Sequence, residues 1–310
     1  MSTPDPSTES LVLDLTKDDS EYAPQLLRRK ALELIDDAIA HLRSTGEEPD
    51  VVVHEVRRRL KELRGITDLL RRALPNEGRQ EWKLFRDAGR ELATARDAKA
   101  RVETIDRLRE RFRDEWTPRQ FIKIRRVLAS RVTGEIDREI TGRWEHALTT
   151  ERLRLAAWPV DRMTRGDLEK AIGRSYRSSR RAMRRALDAR TAESFHQWRK
   201  RVKVHWYHTR FLAESGFAPL DARARSMRSL SRTLGEHHDL VLIAATLEES
   251  PDDFGSRRYV TRFRSFLQRR MNELTAEAES SGKTLFAART REWRVAELSE
   301  PPRAASRESH

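Results

Sequence analysis

The strongest constraint on this chain is an internal repeat held at a single offset: His196 follows His54 by 142 residues, and Asp239 follows Asp97 by the same 142. At that offset Leu26 matches Leu168, Ala40 matches Ala182, Lys61 matches Lys203, Thr67 matches Thr209, Leu92 matches Leu234, Thr104 matches Thr246 and Phe121 matches Phe263. Arginine pairs join them at Arg43 and Arg185, Arg57 and Arg199, Arg59 and Arg201, Arg86 and Arg228, and Arg90 and Arg232. Arginine is abundant enough to make those pairs individually cheap, so the His, Asp and Lys matches carry the weight. An ungapped register of this length implies one structural unit used twice.

Periodicity says what the unit is. Apolar residues recur at helical spacing almost throughout, with no run of alternating β-branched residues of the kind a sheet requires. Breaks in the pattern fall at residues 46–50, 75–78, 116–118, 158–166, 190–191, 216–221 and 250–256. Thr117, Pro118 and Gln120 read as a capping box with proline in the first helical position. The expectation is an all-α chain of eight main helices: a first four-helix bundle over 21–155, a linker over 156–165 and a second four-helix bundle over 166–298. The acidic stretch 1–20, with its Ser, Thr and Pro, and the polar stretch 299–310 read as disordered tails.

Composition removes whole classes of chemistry. The chain has no cysteine, which excludes disulfides, thiolate nucleophiles and cysteine-ligated metal centres. No window approaches eighteen consecutive apolar positions, so a soluble, cytoplasmic protein without a membrane span is expected. The formal net charge is +13, and 53 of the 63 basic residues are arginine. A guanidinium is a planar fork that grips phosphate oxygens bidentately, where an ammonium is a point charge. The charge is also concentrated, with thirteen cations against four anions between residues 166 and 212.

Placement on helices separates cations from core. At ~100° per residue, Arg57, Arg58, Lys61 and Arg64 lie within roughly 80° of His54, while Val56, Leu60, Leu63, Thr67 and Leu70 fill the opposite side. In the second half His196, Arg199, Lys200, Lys203, Tyr207 and Arg210 share one face. Trp198, Val202, His205, Thr209 and Leu212 share the other, which makes His205 a core histidine. Arg174, Arg177, Arg181 and Arg185 form a third stripe, with Arg184 beside it. Arg86 and Arg90, with Arg228 and Arg232, extend the pattern onto the following helix of each half. Like charges at these spacings repel by a few tenths of a kcal/mol per pair, so such faces cost stability until an anion occupies them. A cationic ladder of this kind suits a linear chain of phosphates. Asp97 and Asp239 are read as groups that hold the cationic side chains in place, since an acid facing a polyanion directly would repel it.

Two rival classes fit less well. A di-metal bundle enzyme needs a pair of Glu-x-x-His motifs, and Glu193 with His196 supplies one while the position equivalent to Glu193 is Val51. His237, His238 and Asp239 have no ligands at the matching positions Ala95 and Arg96. No metal or other cofactor is therefore expected. A nucleic-acid-binding basic helical protein is the stronger alternative, because counterion release drives binding to any polyanion. None of the named nucleic-acid motifs is present; Trp198 reads as core and Trp206 as the best candidate for base stacking.

The histidine-led segments VHEVRRRLKELRG and FHQWRKRVKVHWY, with RELATARD and RTLGEHHD downstream and RSYRSSRRAMRRAL between, resemble the CHAD domain, the conserved histidine α-helical domain. The resemblance runs from about Tyr22 to Arg294. It implies paired helical bundles around a basic cleft or pore, binding of inorganic polyphosphate without catalysis, and a place at polyphosphate granules. Residue by residue it points to His54, Arg57, Arg58, Lys61 and Arg64, and to His196, Arg199, Lys200 and Lys203. One departure is plain: Trp206 stands where a match to Arg64 is expected, with Arg210 as a nearby substitute. The Glu-x-Glu-x-Lys signature of the triphosphatase domain sometimes joined to this family does not occur.

Overall fold

The computed structural model describes residues 23–44, 46, 48–74, 79–92, 94–115, 118–130 and 138–298. The expected tails at 1–20 and 299–310, and Thr117 of the expected capping box, lie outside them. The order is α1 (Ala23–Arg43), α2 (Pro49–Ala73), α3 (Arg79–Glu91), α4 (Thr94–Arg111), α5 (Pro118–Ala129), α6 (Arg138–Ala156), a 3-10 turn (Val160–Arg162), α7 (Arg165–Ala189), α8 (Ala192–Glu214), α9 (Leu220–Glu249), α10 (Pro251–Phe254), α11 (Arg257–Leu285) and α12 (Thr290–Leu298). Among the described residues there is no strand, and no helix is long and apolar enough to cross a membrane. The chain is all-α.

Helix starts follow local chemistry. Thr164 caps α7 by accepting from the Asp167 N–H at 3.3 Å, while the Asp167 carboxylate accepts from the Thr164 N–H at 3.1 Å. Thr191 and Ser194 repeat this reciprocal arrangement at the start of α8, one turn before His196. Between them Arg190 ends α7 in a left-handed conformation, φ 52°.

More helices form than the eight expected, because some breaks carry no Gly or Pro. The long helix α9 corresponds in the repeat to α3 and α4, the first of which ends at Glu91. The gap between α11 and α12 is stabilised from outside. Carbonyl oxygens of Leu285, Phe286 and Ala288 accept from Arg223 at 2.7 Å, Arg180 at 2.9 Å and the Tyr176 hydroxyl at 2.8 Å. Donors from α7 and α9 thus satisfy the orphan carbonyls at the end of α11.

The apolar core divides differently from the repeat. One cluster joins α1, α2, α3 and α6 to α7, α8, the first part of α9, the end of α11, and α12. The other joins α4 and α5 to the rest of α9, α10 and the first part of α11. Each cluster draws on both halves of the sequence, so burial of either one requires the other half.

The halves meet where α2 crosses α8. A Cβ on Gly65 would lie 2.7 Å from Tyr207 Cβ and 3.3 Å from Phe211, so only glycine allows this approach. Gly65 and Tyr207 are themselves 142 residues apart, so the helices touch at equivalent positions. His208 Nε2, fully buried, lies 3.3 Å from the Asp68 carboxylate across the same contact.

A second buried acid has one carboxylate oxygen without a hydrogen-bond partner. Glu151 on α6 is 1% exposed, and burial, then the Glu81 carboxylate, push its pKa up to about 7 against the opposing Arg154. A folded-state pKa raised above the unfolded one gives stability that is present in acid and lost as pH rises from about 4.5 through about 7. Glu151→Gln is therefore expected to stabilise the fold by about 1–3 kcal/mol at pH 8 and by far less at pH 5, read as urea midpoints. Equal shifts at both pH values would refute a charged, strained Glu151.

Candidate functional site

In both halves the histidine-led helix runs antiparallel to the helix that follows it, in the same register. Arg57 Nη1 of α2 donates to the Leu92 carbonyl at 3.2 Å, at the end of α3. In the second half the equivalent Arg199 of α8 lies along α9 at Gly235, with Nε 3.7 Å from where that residue's Cβ would be. One turn earlier the His196 and His238 rings meet, centroids 4.0 Å apart. Continuing that register sets Arg232 and Arg228 of α9 level with Val202 and Trp206, both exposed on the outer side.

The α8 and α9 cluster crowds imidazoles against cations. Burial, then Lys200 and Arg199, hold the His196 imidazole below its ordinary pKa, with only Glu193 opposing. Burial, then His196, Arg199, His237 and Lys200, push His238 down to about 4. The His196 Nδ1 and the Arg199 Nε are buried without a hydrogen-bond partner. Burial and the neighbouring cations outweigh Glu193, so both rings favour the neutral form at pH 7.

The α2 and α3 cluster is built differently. His54 is half exposed, 3.7 Å from the Glu55 carboxylate, which also holds Arg58 at 2.8 Å. Lys61 lies one turn beyond Arg57 and Arg58, partly buried. The Arg64 guanidinium sits 5.3 Å from the Trp82 ring centroid, with Arg86 at 5.6 Å on the same ring. Arg90 acts on Arg64 through space. The third stripe adjoins this region: Arg174 of α7 donates to the carbonyl of Arg72 near the end of α2, and Arg177, Arg181 and Arg185 follow it, exposed, along α7.

Several side chains depart from their expected roles. Arg57 is 6% exposed, and its guanidinium ties α2 to α3 instead of facing solvent, because the end of α3 presents an orphan carbonyl to it. Tyr207 leaves the basic face for the core, stacked on Phe211 at 6.0 Å, because α2 packs there. Arg210 does not replace the missing arginine. It is neutralised between Glu62 at 3.0 Å and Glu214 at 3.4 Å, and lies over Phe211 at 4.3 Å. Trp206 packs partly against the core, 4.7 Å from Tyr207. The Asp239 carboxylate accepts from the Thr104 hydroxyl of α4 at 3.4 Å, linking the halves. The Asp97 side chain lies outside the described residues. Lys203 stays on the α8 face, partly buried. His205 is core as expected, its Nδ1 2.9 Å from the Ser175 hydroxyl.

Trp82, Arg71 and His238 were not singled out as binding residues by the sequence. Trp82 was findable, since it precedes Arg86 and Arg90 at four-residue steps and so shares their stripe. Among the described residues no group of three or more His, Cys, Asp or Glu is placed to hold a metal ion.

Comparison with known proteins agrees with this architecture. The crystal structure of the CHAD domain from the plant Ricinus communis is similar, with TM-score 0.58 and 19% identity over 87% of this chain and 92% of that one. At that identity the likeness speaks to the fold. No curated protein matches the sequence. The model of the CHAD domain family matches residues 28–248, more than half of the chain. With the helical fold and the histidine-led helices in place, that match settles the assignment: the chain belongs to the CHAD domain family.

Proposed function

We propose that this protein binds inorganic polyphosphate without catalysing its reaction, holding phosphates on the basic faces of α2 with α3 and α8 with α9, and that it works at polyphosphate granules in the cytoplasm. The observation that supports this most is the shared antiparallel register of the two helix pairs. It lines up cations that carry no ion pair among the described residues: Arg90 in the first half, and Arg199, Lys200, Arg228 and Arg232 in the second. Arg177, Arg181 and Arg185 of α7 are likewise without acidic partners. On this reading the two faces serve one ligand, a flexible linear polyanion long enough to reach both. Nucleobases are not needed by such a site, and Trp206, the expected stacking candidate, packs partly against the core.

Affinity for long-chain polyphosphate, measured across salt and from pH 8 to pH 5, tests the reading. Counterion release makes affinity fall steeply with salt. A bound polyanion favours the imidazolium, so the His196 and His238 pKa values are higher in the complex than in the free protein. Protons are then taken up on binding, and affinity rises as pH falls through the histidine range, by up to about tenfold per pH unit for each proton taken up. A flat salt response, or equal affinity for DNA of matched charge, would overturn the polyphosphate assignment.

A further inference from the structure

Three guanidiniums surround one indole in the first half. The guanidinium carbons of Arg64, Arg71 and Arg86 lie 5.3, 5.2 and 5.6 Å from the Trp82 ring centroid. Arg64 and Arg71 are two turns apart on α2, a rise of ~10 Å, so the indole projected from α3 bridges them. Arg86 follows Trp82 by one turn and Arg90 by two.

Charge in this cluster is incompletely compensated. Arg71 pairs with Asp68, which also holds Arg72 and lies against His208. Arg86 pairs with its neighbour Asp87 at 2.8 Å. Arg64 makes no ion pair among the described residues, and its Nε is buried without a hydrogen-bond partner. Burial, then Arg90, and further on Arg86, weaken the hold of the Arg64 guanidinium on its proton, partly opposed by Tyr207 and Asp68.

An aromatic face attracts cations through its quadrupole but accepts no strong hydrogen bond. Trp82 therefore gathers like charges without itself engaging their N–H forks, and the Arg64 fork carries no ion pair among the described residues, while those of Arg71 and Arg86 are shared with Asp68 and Asp87. Long side chains ordered in advance lose less entropy when a ligand arrives. The second half has nothing equivalent: Ala224 stands at the Trp82 position, Trp206 at Arg64 and Ala213 at Arg71.

We propose that Trp82 is a positioning residue that preorders Arg64, Arg71 and Arg86 as a receptor for consecutive phosphates of a polyphosphate chain. This rests on the polyphosphate reading above and adds to it a division of labour. The first half grips phosphate with aromatic-ordered guanidiniums, the second with an imidazole pair and lysines. The guanidiniums occupy the ring that a nucleobase would need for stacking, which favours inorganic phosphate over RNA or DNA as the occupant.

The test titrates the full chain, wild type and variants, with long-chain polyphosphate and with a single-stranded oligonucleotide. Trp82→Leu removes the ring without altering charge and is expected to weaken polyphosphate binding roughly tenfold. Trp82→Phe keeps a ring and is expected to stay within about threefold of wild type. Arg64→Lys keeps charge but loses the planar fork, and is expected to fall as Trp82→Leu does; it decides the matter if Trp82→Leu does not fold. Wild-type affinity in Trp82→Leu or Arg64→Lys, or an equal loss in Trp82→Phe and Trp82→Leu, overturns the proposal. So does a larger loss for the oligonucleotide than for polyphosphate in Trp82→Leu, which would make the indole a base-stacking group. Wild-type protein that fails to bind polyphosphate overturns the functional reading and this inference together. Wild-type binding with unaffected variants overturns the inference alone.

Discussion

Alanine at Lys61, Lys200, Lys203 and Arg232 together is expected to weaken binding of long-chain polyphosphate about a thousandfold near 0.1 M salt. Four charge-assisted contacts at roughly 1 kcal/mol each amount to about 4 kcal/mol. The slope of log affinity against log salt should become shallower by about 3, at ~0.7 per lost contact as for a single-stranded polyanion. Helical content and unfolding midpoint should stay near wild type, because none of the four is fully buried. Arg57 is left in place on purpose: its buried guanidinium holds the Leu92 carbonyl, so its loss would mix a folding defect with a binding one. A variant that binds within about threefold of wild type would move the ligand to the α7 stripe of Arg174, Arg177, Arg181 and Arg185.

Asp68→Ala is expected to destabilise the fold by about 3–5 kcal/mol, because it leaves cations without their acid in a buried contact. Asp68 is 3% exposed, pairs with Arg71 and with Arg72 at 2.7 Å, and faces His208 at 3.3 Å. Burial alone would raise its pKa; the contacts with His208 and Arg72 outweigh that and hold it well below the usual carboxylate range. A folded pKa lowered in this way gives stability that is present above the ordinary carboxylate pKa and lost only in stronger acid. The imidazoles lose stability in the same direction, but nearer neutrality. Burial lowers the pKa of His205 and of His208, the latter against the opposing Asp68, so the unfolded chain binds protons first and wild-type stability falls as pH drops below ~6.5. In Asp68→Ala, His208 loses its acidic neighbour and this acid sensitivity should steepen. Urea midpoints at pH 8 and pH 6 measure both effects, and an unchanged midpoint at pH 8 would show that the contact between α2 and α8 does not depend on Asp68.

Much of the fold was legible because helices announce themselves locally. The apolar period, the Gly216 and Pro251 breaks and the α8 cap region depend on neighbours in sequence. The end of α3 at Glu91 and the gap after α11 were not legible. No Gly or Pro marks them, and the gap is stabilised by Arg180, Tyr176 and Arg223, which are distant in sequence. Trp206 and Arg210 show the same limit at the site. Both lie near the expected face, yet only packing against α2, with Glu62, reveals that the Arg210 charge is spent internally.

The sequence by itself determined the helical class, the repeat of 142 residues and the two histidine-led faces, because side-chain direction on a helix follows from residue spacing alone. Tertiary structure decided that each apolar core is shared between halves, that Arg57 and Tyr207 turn inward, and that Trp82 gathers arginines from two helices. Those outcomes rest on which helices meet, and at Gly65 that meeting is set by the absence of a single Cβ.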